Sequence, residues 1–241
     1  MLNQAKAAKA REEAGPEPCQ VTTMVIFTFP GGKRGWAFRQ MGLARPLIKK
    51  APGLRFYILM GAGRGKAFSL RPDWNRYALL AVWENEQAAR EFLASSPFMA
   101  KYRANACRVA YAILKTISVK GKWDGRNPFR AGTISQKEER VMVLTRATIR
   151  FSRLPAFWQQ AARVSEKFTA TPGLIGSIGV GEVPFFRQAT FSFWENAASL
   201  KQFAYGPGSH RQTIQRTRAE GWYREELFAR FAIIEVSQPF P

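Results

Sequence analysis

The chain has a single histidine, His210, in the stretch Gly206-Pro207-Gly208-Ser209-His210-Arg211-Gln212-Thr213-Ile214-Gln215-Arg216-Thr217-Arg218. Pro207 and Ser209 are helix-start residues, which puts His210 in the first turn of a helix. Ile214 and Thr217, at i+4 and i+7, share its face, while Gln212, Gln215 and Arg216 point elsewhere. An imidazole above small and apolar neighbours is the proximal arrangement of a five-coordinate haem, one nitrogen on iron and a flat surface beneath the ring. Arg211, Arg216 and Arg218 could pair with haem propionates, because guanidinium forks match carboxylates. A histidine without function, on the surface or partly buried, fits the same spacing. One histidine does exclude metal centres built from two or three imidazoles. A Ser-His-acid triad could run only through His210, and no nucleophile elbow accompanies it.

Other candidate chemistry is weaker. Cys107, in Asn105-Ala106-Cys107-Arg108, could supply a thiolate, but its surroundings read as an amphipathic helix in which a small cysteine is core. Gly61-Ala62-Gly63-Arg64-Gly65-Lys66 lacks the four-residue spacing and the following Ser or Thr of a phosphate loop. Gly176-Ser177-Ile178-Gly179-Val180-Gly181 falls in a strand-turn-strand stretch and opens no helix, so it fails as a dinucleotide fingerprint. Glycines at strand ends can still let a flat ligand approach a sheet.

The elements that must position these residues belong to a chain of 241 residues with 46% apolar content, enough for one large domain or two small ones and too apolar for general disorder. Lys and Arg number 37 against 17 Asp and Glu, a formal charge of +20, so the partners should be anionic. Seven Trp, 19 Phe and six Tyr beside that charge would suit a nucleic-acid surface, yet many of them recur at core-like spacing in strands, and no RNA-binding aromatic motif is present. Two cysteines, Cys19 and Cys107, allow at most one disulfide, which suits a reducing cytoplasm. Residues 1–18 carry charges throughout and no apolar h-region, and the apolar runs fall far short of the ~20 residues that span a bilayer.

Residues 1–20 read as a disordered tail, 120–139 as a Gly- and Pro-interrupted linker, and 237–241 as a second tail. The segments between, 21–119 and 140–236, resemble each other. Ala51-Pro52-Gly53-Leu54 answers to Thr171-Pro172-Gly173-Leu174, and Trp83-Glu84-Asn85 to Trp194-Glu195-Asn196, an offset of 111 that also pairs Phe92 with Phe203. The second copy reads strand 141–151, helix 155–168, strand 174–181, strand 188–194, helix 197–220 broken near Gly206-Pro207-Gly208, and strand 228–236. This is the ferredoxin-like βαββαβ order. The expected fold class is therefore α+β: two tandem ferredoxin-like repeats whose sheets pair into a dimeric-α+β-barrel-like body, burying their edges.

Four segments then point to a family. Gly121-Lys122-Trp123-Asp124-Gly125, Leu144-Thr145-Arg146-Ala147-Thr148, Gly179-Val180-Gly181-Glu182-Val183-Pro184-Phe185 and Gly221-Trp222-Tyr223-Arg224-Glu225-Glu226-Leu227-Phe228-Ala229-Arg230-Phe231 resemble, in order, the spheroidene monooxygenase family, the acyclic carotenoid 2-ketolases of purple bacteria. The likeness runs from about Val21 to Val236, omits the tail 1–20, and is interrupted at the Gly-Pro-Gly before His210.

The resemblance implies an oxygen-dependent oxidation of a long apolar polyene, with haem b as cofactor, molecular oxygen as co-substrate, a ferredoxin-type electron donor and kinship in fold with dimeric α+β barrel haem proteins. His210 falls on the family's histidine position and is implied as the metal ligand, in the haem-bearing C-terminal repeat, with Arg211, Ile214, Thr217 and Arg218 around the cofactor. The repeat offset places Met99 opposite His210, so only the second half should hold haem. Two hydroxylations at one carbon give a geminal diol that loses water to a ketone. A neutral imidazole donates less electron density than a thiolate, so distal groups must assist. Arg146, inward if Thr148 is, is the first candidate and Glu182 the second; a surface strand position is the other reading of Arg146. A carotenoid must be drawn from a membrane, and the basic surface suits peripheral association with the inner, anionic face from the cytoplasm. A homodimer is compatible with the fold, and nucleic acid is not expected. Alternatives are a haem dehydratase acting on an N–O bond, a basic ferredoxin-like nucleic-acid-binding module, and an inactive carrier.

Overall fold

In this computed structural model, residues 19–65, 69–132, 140–183, 185–206, 215–217 and 219–237 are described, without the side chains of 162–167 and 169. The first half runs β1 (Val21–Thr28), α1 (Arg34–Leu43), α2 (Arg45–Lys49), β2 (Leu54–Gly63), β3 (Pro72–Trp83), α3 (Glu86–Ser95), α4 (Pro97–Arg103) and β4 (Arg108–Gly121). The second runs β5 (Val141–Ile149), α5 (Leu154–Thr169), β6 (Leu174–Val183), β7 (Arg187–Trp194), α6 (Ala197–Tyr205) and β8 (Tyr223–Val236). All strand pairs are antiparallel, and the order β1-β3-β2-β6-β7-β5-β8-β4 closes on itself as a barrel within one chain. Each half contributes a ferredoxin-like sheet, so the expected α+β class and tandem-repeat architecture hold.

The residues that repeat in sequence do the same work in both halves. Asn85 and Asn196 cap α3 and α6, accepting from Ala88 N at 2.9 Å and Ser199 N at 2.8 Å. Gly53 and Gly173 sit at φ 71° and 78°, and their carbonyls accept from Glu84 N and Glu195 N. Trp83 and Trp194 are fully buried on the helix-facing side.

The halves meet along two unequal seams. β4 and β8 pair at nine positions, from Ala112↔Val236 to Gly121↔Leu227, whereas β2 and β6 pair only at Gly61↔Gly181 and Ala62↔Val180. The lumen is packed by side chains from all eight strands, among them Met24, Met60, Leu80, Leu114, Leu144, Ile178, Phe191 and Phe231. It is a core and not a pore.

Several local expectations shift. β8 starts at Tyr223, five residues before the expected 228, because the charged run Arg224-Glu225-Glu226 hides a strand whose Glu225 meets a buried arginine. Within the expected linker, Trp123 and Phe129 are 1% and 2% exposed and belong to the lumen core. Gln20 is fastened to Pro128 and Arg130, and Ser237 to Tyr111; residues 1–18, 133–139 and 238–241 of the expected tails and linker lie outside the described residues. Cys107 is exposed at the head of β4 rather than buried in a helix, since the helical turn ends at Ala104 and the chain extends from Arg108; Cys19 is exposed too, and both are free thiols. Among the described residues no helix is long and apolar enough to cross a membrane.

Candidate functional site

The two halves differ most in the layer between sheet and helices. In the first half, Val25 and Phe27 on β1, Tyr57 and Leu59 on β2, and Leu79 and Ala81 on β3 face α1 to α4 and form one continuous apolar cluster. The register of the second half puts Thr145 and Ala147 on β5, Ser177 and Gly179 on β6, and Thr190 and Ser192 on β7 at the same six places. Four of the six first-half side chains are large; none of the second-half ones is. The second layer accordingly splits into two clusters of four buried apolar residues each among the described residues. One is Val141, Val143, Trp194 and Leu200; the other is Ile149, Phe157, Ala161 and Trp222. The small, hydroxyl-bearing surface lies between them.

Polar atoms in and over this surface lack partners. Thr190 Oγ1, Trp158 Nε1 on α5, and Arg230 Nε on the same face of β8 are buried without a hydrogen bond among the described residues. Orphans of this kind also occur in the first half, at Tyr77 Oη and Gln40 Oε1, so they show hydrogen-bonding capacity in this layer and do not by themselves distinguish it. Thr145 and Phe228, directly opposite each other in its middle, are exposed, Phe228 by 40%. On β5, β6 and β7 the central positions of this face carry nothing larger than threonine, which leaves the strands themselves open to the approach of a flat or rod-like apolar group.

Of the residues expected to bind a cofactor, His210, Arg211, Ile214 and Arg218 lie outside the described residues. Thr217 is 5% exposed at the edge of the Ile149–Trp222 cluster and accepts from Trp222 N at 3.0 Å. Burial, with Glu226 beside it, pushes the Tyr223 phenol up to about 12, and a hydrogen bond from Thr217 draws it the other way. Arg216 is committed to Glu220 at 2.6 Å and to the face of Trp222, and with these bonds holds the Glu220 carboxyl below its usual range. The described part of the second-half layer, small strand side chains between two apolar clusters, is compatible with a flat apolar group, and the expected iron ligand lies outside it.

Arg146 and Glu182 are brought together, but on the other side of the sheet. Arg146 faces the lumen with Met142 and Leu144 and is fully buried. Its Nε donates to Glu182 Oε1 at 3.2 Å, Nη1 to Glu225 Oε1, and Nη2 to Asp124 Oδ1 at 3.5 Å, while the guanidinium lies 5.1 Å from the Trp123 ring centre. Arg187 Nη1 reaches Asp124 at 3.2 Å and Glu182 at 3.5 Å. Burial raises the Glu225 carboxyl, but backbone N–H bonds from Gly125 and Asp124, together with Arg146, outweigh this and hold it below the usual range. Three carboxylates saturate Arg146, and the sheet separates it from Thr145, Ala147 and the small-residue layer.

Comparison with known proteins fits this picture. The spheroidene monooxygenase of Rhodobacter capsulatus is 36% identical over 217 residues, covering 89% of this chain and 90% of that protein. The spheroidene monooxygenase of Rubrivivax gelatinosus is 31% identical over 216 residues, covering 90% and 83%. This chain belongs to the spheroidene monooxygenase family. No family model matches it. Among solved structures, an aldoxime dehydratase superposes with a TM-score of 0.56 at 9% identity, covering 89% of this chain and 81% of that one, a likeness of fold alone.

In this spheroidene monooxygenase family member, reading by motif missed Asp124 and Glu225 as partners of Arg146, and Arg187 as the second cation on Asp124 and Glu182, because Glu225 sat in a stretch not taken as strand and Asp124 in one taken as linker. It also missed the small-residue layer. The signal was available: the repeat offset of 111 sets Leu79 over Thr190 and Ala81 over Ser192, and the Pro-Gly alignment sets Leu59 over Gly179.

Proposed function

We propose that this chain is a haem-dependent monooxygenase that takes one carbon of a long apolar polyene, of the acyclic carotenoid kind, through two hydroxylations to a ketone, with His210 as the iron ligand. The observation that supports it best is the replacement of Val25, Phe27, Tyr57, Leu59, Leu79 and Ala81 by Thr145, Ala147, Ser177, Gly179, Thr190 and Ser192 in the helix-facing layer. A rigid apolar group in that layer supplies the packing that the first half draws from its own side chains. His210 with Ile214 and Thr217 beside it, and Arg211 and Arg218 for the propionates, would hold the haem; when bound, it supplies oxygen binding and electron transfer.

The chain's own residues supply placement. Thr190 Oγ1 and Arg230 Nε offer hydrogen bonds to a polar ligand atom within a layer bounded by Trp194 and Trp222, whose apolar clusters keep water from its ends. Arg146 and Glu182 act from the lumen in this reading: bridging β5 and β6 behind the layer, they keep Thr145 and Gly179 in register beneath the ligand. The basic surface suits an acidic ferredoxin-type donor and an anionic membrane from which the substrate is drawn. Closure of the barrel within one chain means that a second copy is not needed to complete the fold.

The test is the absorption spectrum of the protein expressed with a haem supply, beside His210→Ala. A Soret band in the wild type, lost in the variant and restored by imidazole, supports the cofactor and its ligand. Turnover of an acyclic carotenoid that requires oxygen then separates oxygenation from a dehydratase reaction, which would proceed without it. A wild-type protein that never takes up haem sinks the proposal.

A further inference from the structure

From Val21 to Pro72 the chain has ten Lys and Arg and no Asp or Glu at all, so one fifth of the sequence carries half of the +20 formal charge. The fold gathers much of this segment on one side. The solvent side of α1 presents Gly35, Phe38, Arg39, Gly42 and Leu43, spaced i, i+3, i+4, i+7 and i+8, and all are exposed. Next to it is the end of the β2–β3 hairpin, where Arg64 N donates to Arg71 O at 2.9 Å and Arg34 Nε to Asn75 Oδ1 at 2.5 Å. The rings of Phe38 and Trp74 meet edge to face at 5.7 Å between centroids, although both remain open to solvent, at 58% and 48%. Leu43 and Leu70 are exposed by 66% and 51%. Arg34, Arg64 and Arg76 line a cleft of about 290 Å³ beside Trp74. Asp73, the first acid after position 21, is taken up by Arg76 at 2.7 Å, and among the described residues Arg34, Arg39, Arg64 and Arg71 form no ion pair.

We propose that this face, α1 with the β2–β3 hairpin end, docks on an anionic lipid surface. Phe38, Leu43, Leu70 and Trp74 enter the boundary between headgroups and acyl chains, and Arg34, Arg39, Arg64 and Arg71 meet lipid phosphates around them. Exposed aromatics at the water–lipid boundary ringed by basic residues are the interfacial pattern, and uncompensated charge is what an anionic leaflet selects. Exposed aliphatic Leu43 and Leu70 gain nothing from a nucleic acid, and an edge-to-face Phe38–Trp74 pair offers no flat slot for a base. The hairpin end of the second half, Val183 to Arg187, also exposes apolar side chains, but it adjoins Glu182, Asp124 and Glu225 and lacks the acid-free field. The inference rests on the reading of an apolar substrate drawn from a membrane only for its purpose; the contact itself needs neither haem nor turnover.

The experiment is flotation of the full-length protein with vesicles of phosphatidylcholine alone or mixed with phosphatidylglycerol, without substrate. Wild type is expected to float with the mixed vesicles and to be released at high salt, where the Debye length shrinks to about 3 Å at 1 M. Phe38→Ser/Trp74→Ser should weaken binding by about tenfold or more, as should Arg34→Gln/Arg39→Gln/Arg64→Gln, while Tyr205→Ser on α6 binds like wild type. Leu43→Ser/Leu70→Ser supplies an independent apolar variant should the aromatic pair prove necessary for folding, judged by far-ultraviolet circular dichroism. The proposal falls if wild type does not float, if both apolar double variants bind as wild type does, or if duplex DNA competes while the apolar variants bind unchanged. A protein that fails to float yet oxidises detergent-dispersed carotenoid loses the docking face and keeps the oxygenase; one that floats without haem does the reverse.

Discussion

Thr190 stands in the second half where Leu79 stands in the first. Each is on the third strand of its repeat and faces the helices, and each is paired across the sheet, Leu79 with Leu59 and Val25, Thr190 with Gly179 and Thr145. Leu79 is fully buried in a continuous apolar cluster; Thr190 is 7% exposed and its hydroxyl has no partner among the described residues. An internal duplication has kept its sheet and replaced the bulky strand side chains of one helix-facing layer with small ones.

Gly179→Leu restores the first-half side chain at this point. The expected outcome is a folded barrel whose ligand-free form melts within a few degrees of wild type, since the overpacking cost of about 1–3 kcal/mol is offset where bulk was missing. Haem or carotenoid retention should fall by about tenfold or more, read as Soret or polyene absorbance per mole of protein. Retention at the wild-type ratio would place the ligand elsewhere.

The caps of the two repeats make a matched pair. Asn85→Ala and Asn196→Ala each remove one acceptor from a helix N-terminus, at 2.9 and 2.8 Å, and each should cost about 1 kcal/mol in urea unfolding. Gly53→Ala and Gly173→Ala should cost more, about 1–3 kcal/mol, because a Cβ there would lie 2.6 Å from Ala88 Cβ or 2.4 Å from Ser199 Cβ, on backbones with positive φ. If Gly173→Ala melts as wild type does, the repeat motif is not held by backbone geometry.

What was legible in the sequence follows from this. Pro-Gly-Leu and Trp-Glu-Asn announced the duplication because each residue serves a local demand: positive φ, a helix cap, a buried ring. The ferredoxin-like order followed from alternation along strands whose one face is helix-covered and whose other is luminal. The Arg146 cluster did not, because its members come from β5, β6, β7, β8 and the turn after β4, up to 101 residues apart, and only barrel closure brings Asp124 to Glu225. A charged run such as Arg224-Glu225-Glu226 reads as a solvated surface until its partner is known to be fully buried.

Arg146 and Glu225 should give the protein an acid-labile step. The Glu225 carboxyl is held below its ordinary value of 4.5, so its contribution to stability is present above that value and is lost as the pH falls through the lower folded-state value. Thermal stability is expected to decline as the pH drops below about 4.5, with a shallower decline in Glu225→Gln. Arg146→Met leaves Glu225 without its cation and Glu182 with Arg187 alone, and should cost about 3–5 kcal/mol near neutrality, less in acid as the carboxylates protonate. Parallel melting curves for wild type and Glu225→Gln across that pH range would exclude this pair as the source.

Gly121 and Gly125 frame the turn that carries Trp123 into the lumen and leaves Asp124 exposed at its mouth, and they separate two effects. Both have positive φ, 92° and 78°, but a Cβ at Gly121 would lie 2.1 Å from Glu226 O, backbone of the β4–β8 seam, while at Gly125 nothing lies within 4 Å. Gly125→Ala should therefore show only backbone strain, about 1 kcal/mol. Gly121→Ala must displace the strand end that holds Glu225, so its cost should exceed about 3 kcal/mol. Because Trp123 is buried against Arg146 and Phe56, loosening this seam exposes an indole: Gly121→Ala should shift tryptophan emission to the red in the folded state, and Gly125→Ala should not. Equal melts and equal spectra for the two variants would mean that the seam gives way locally and the turn does not pin the cluster.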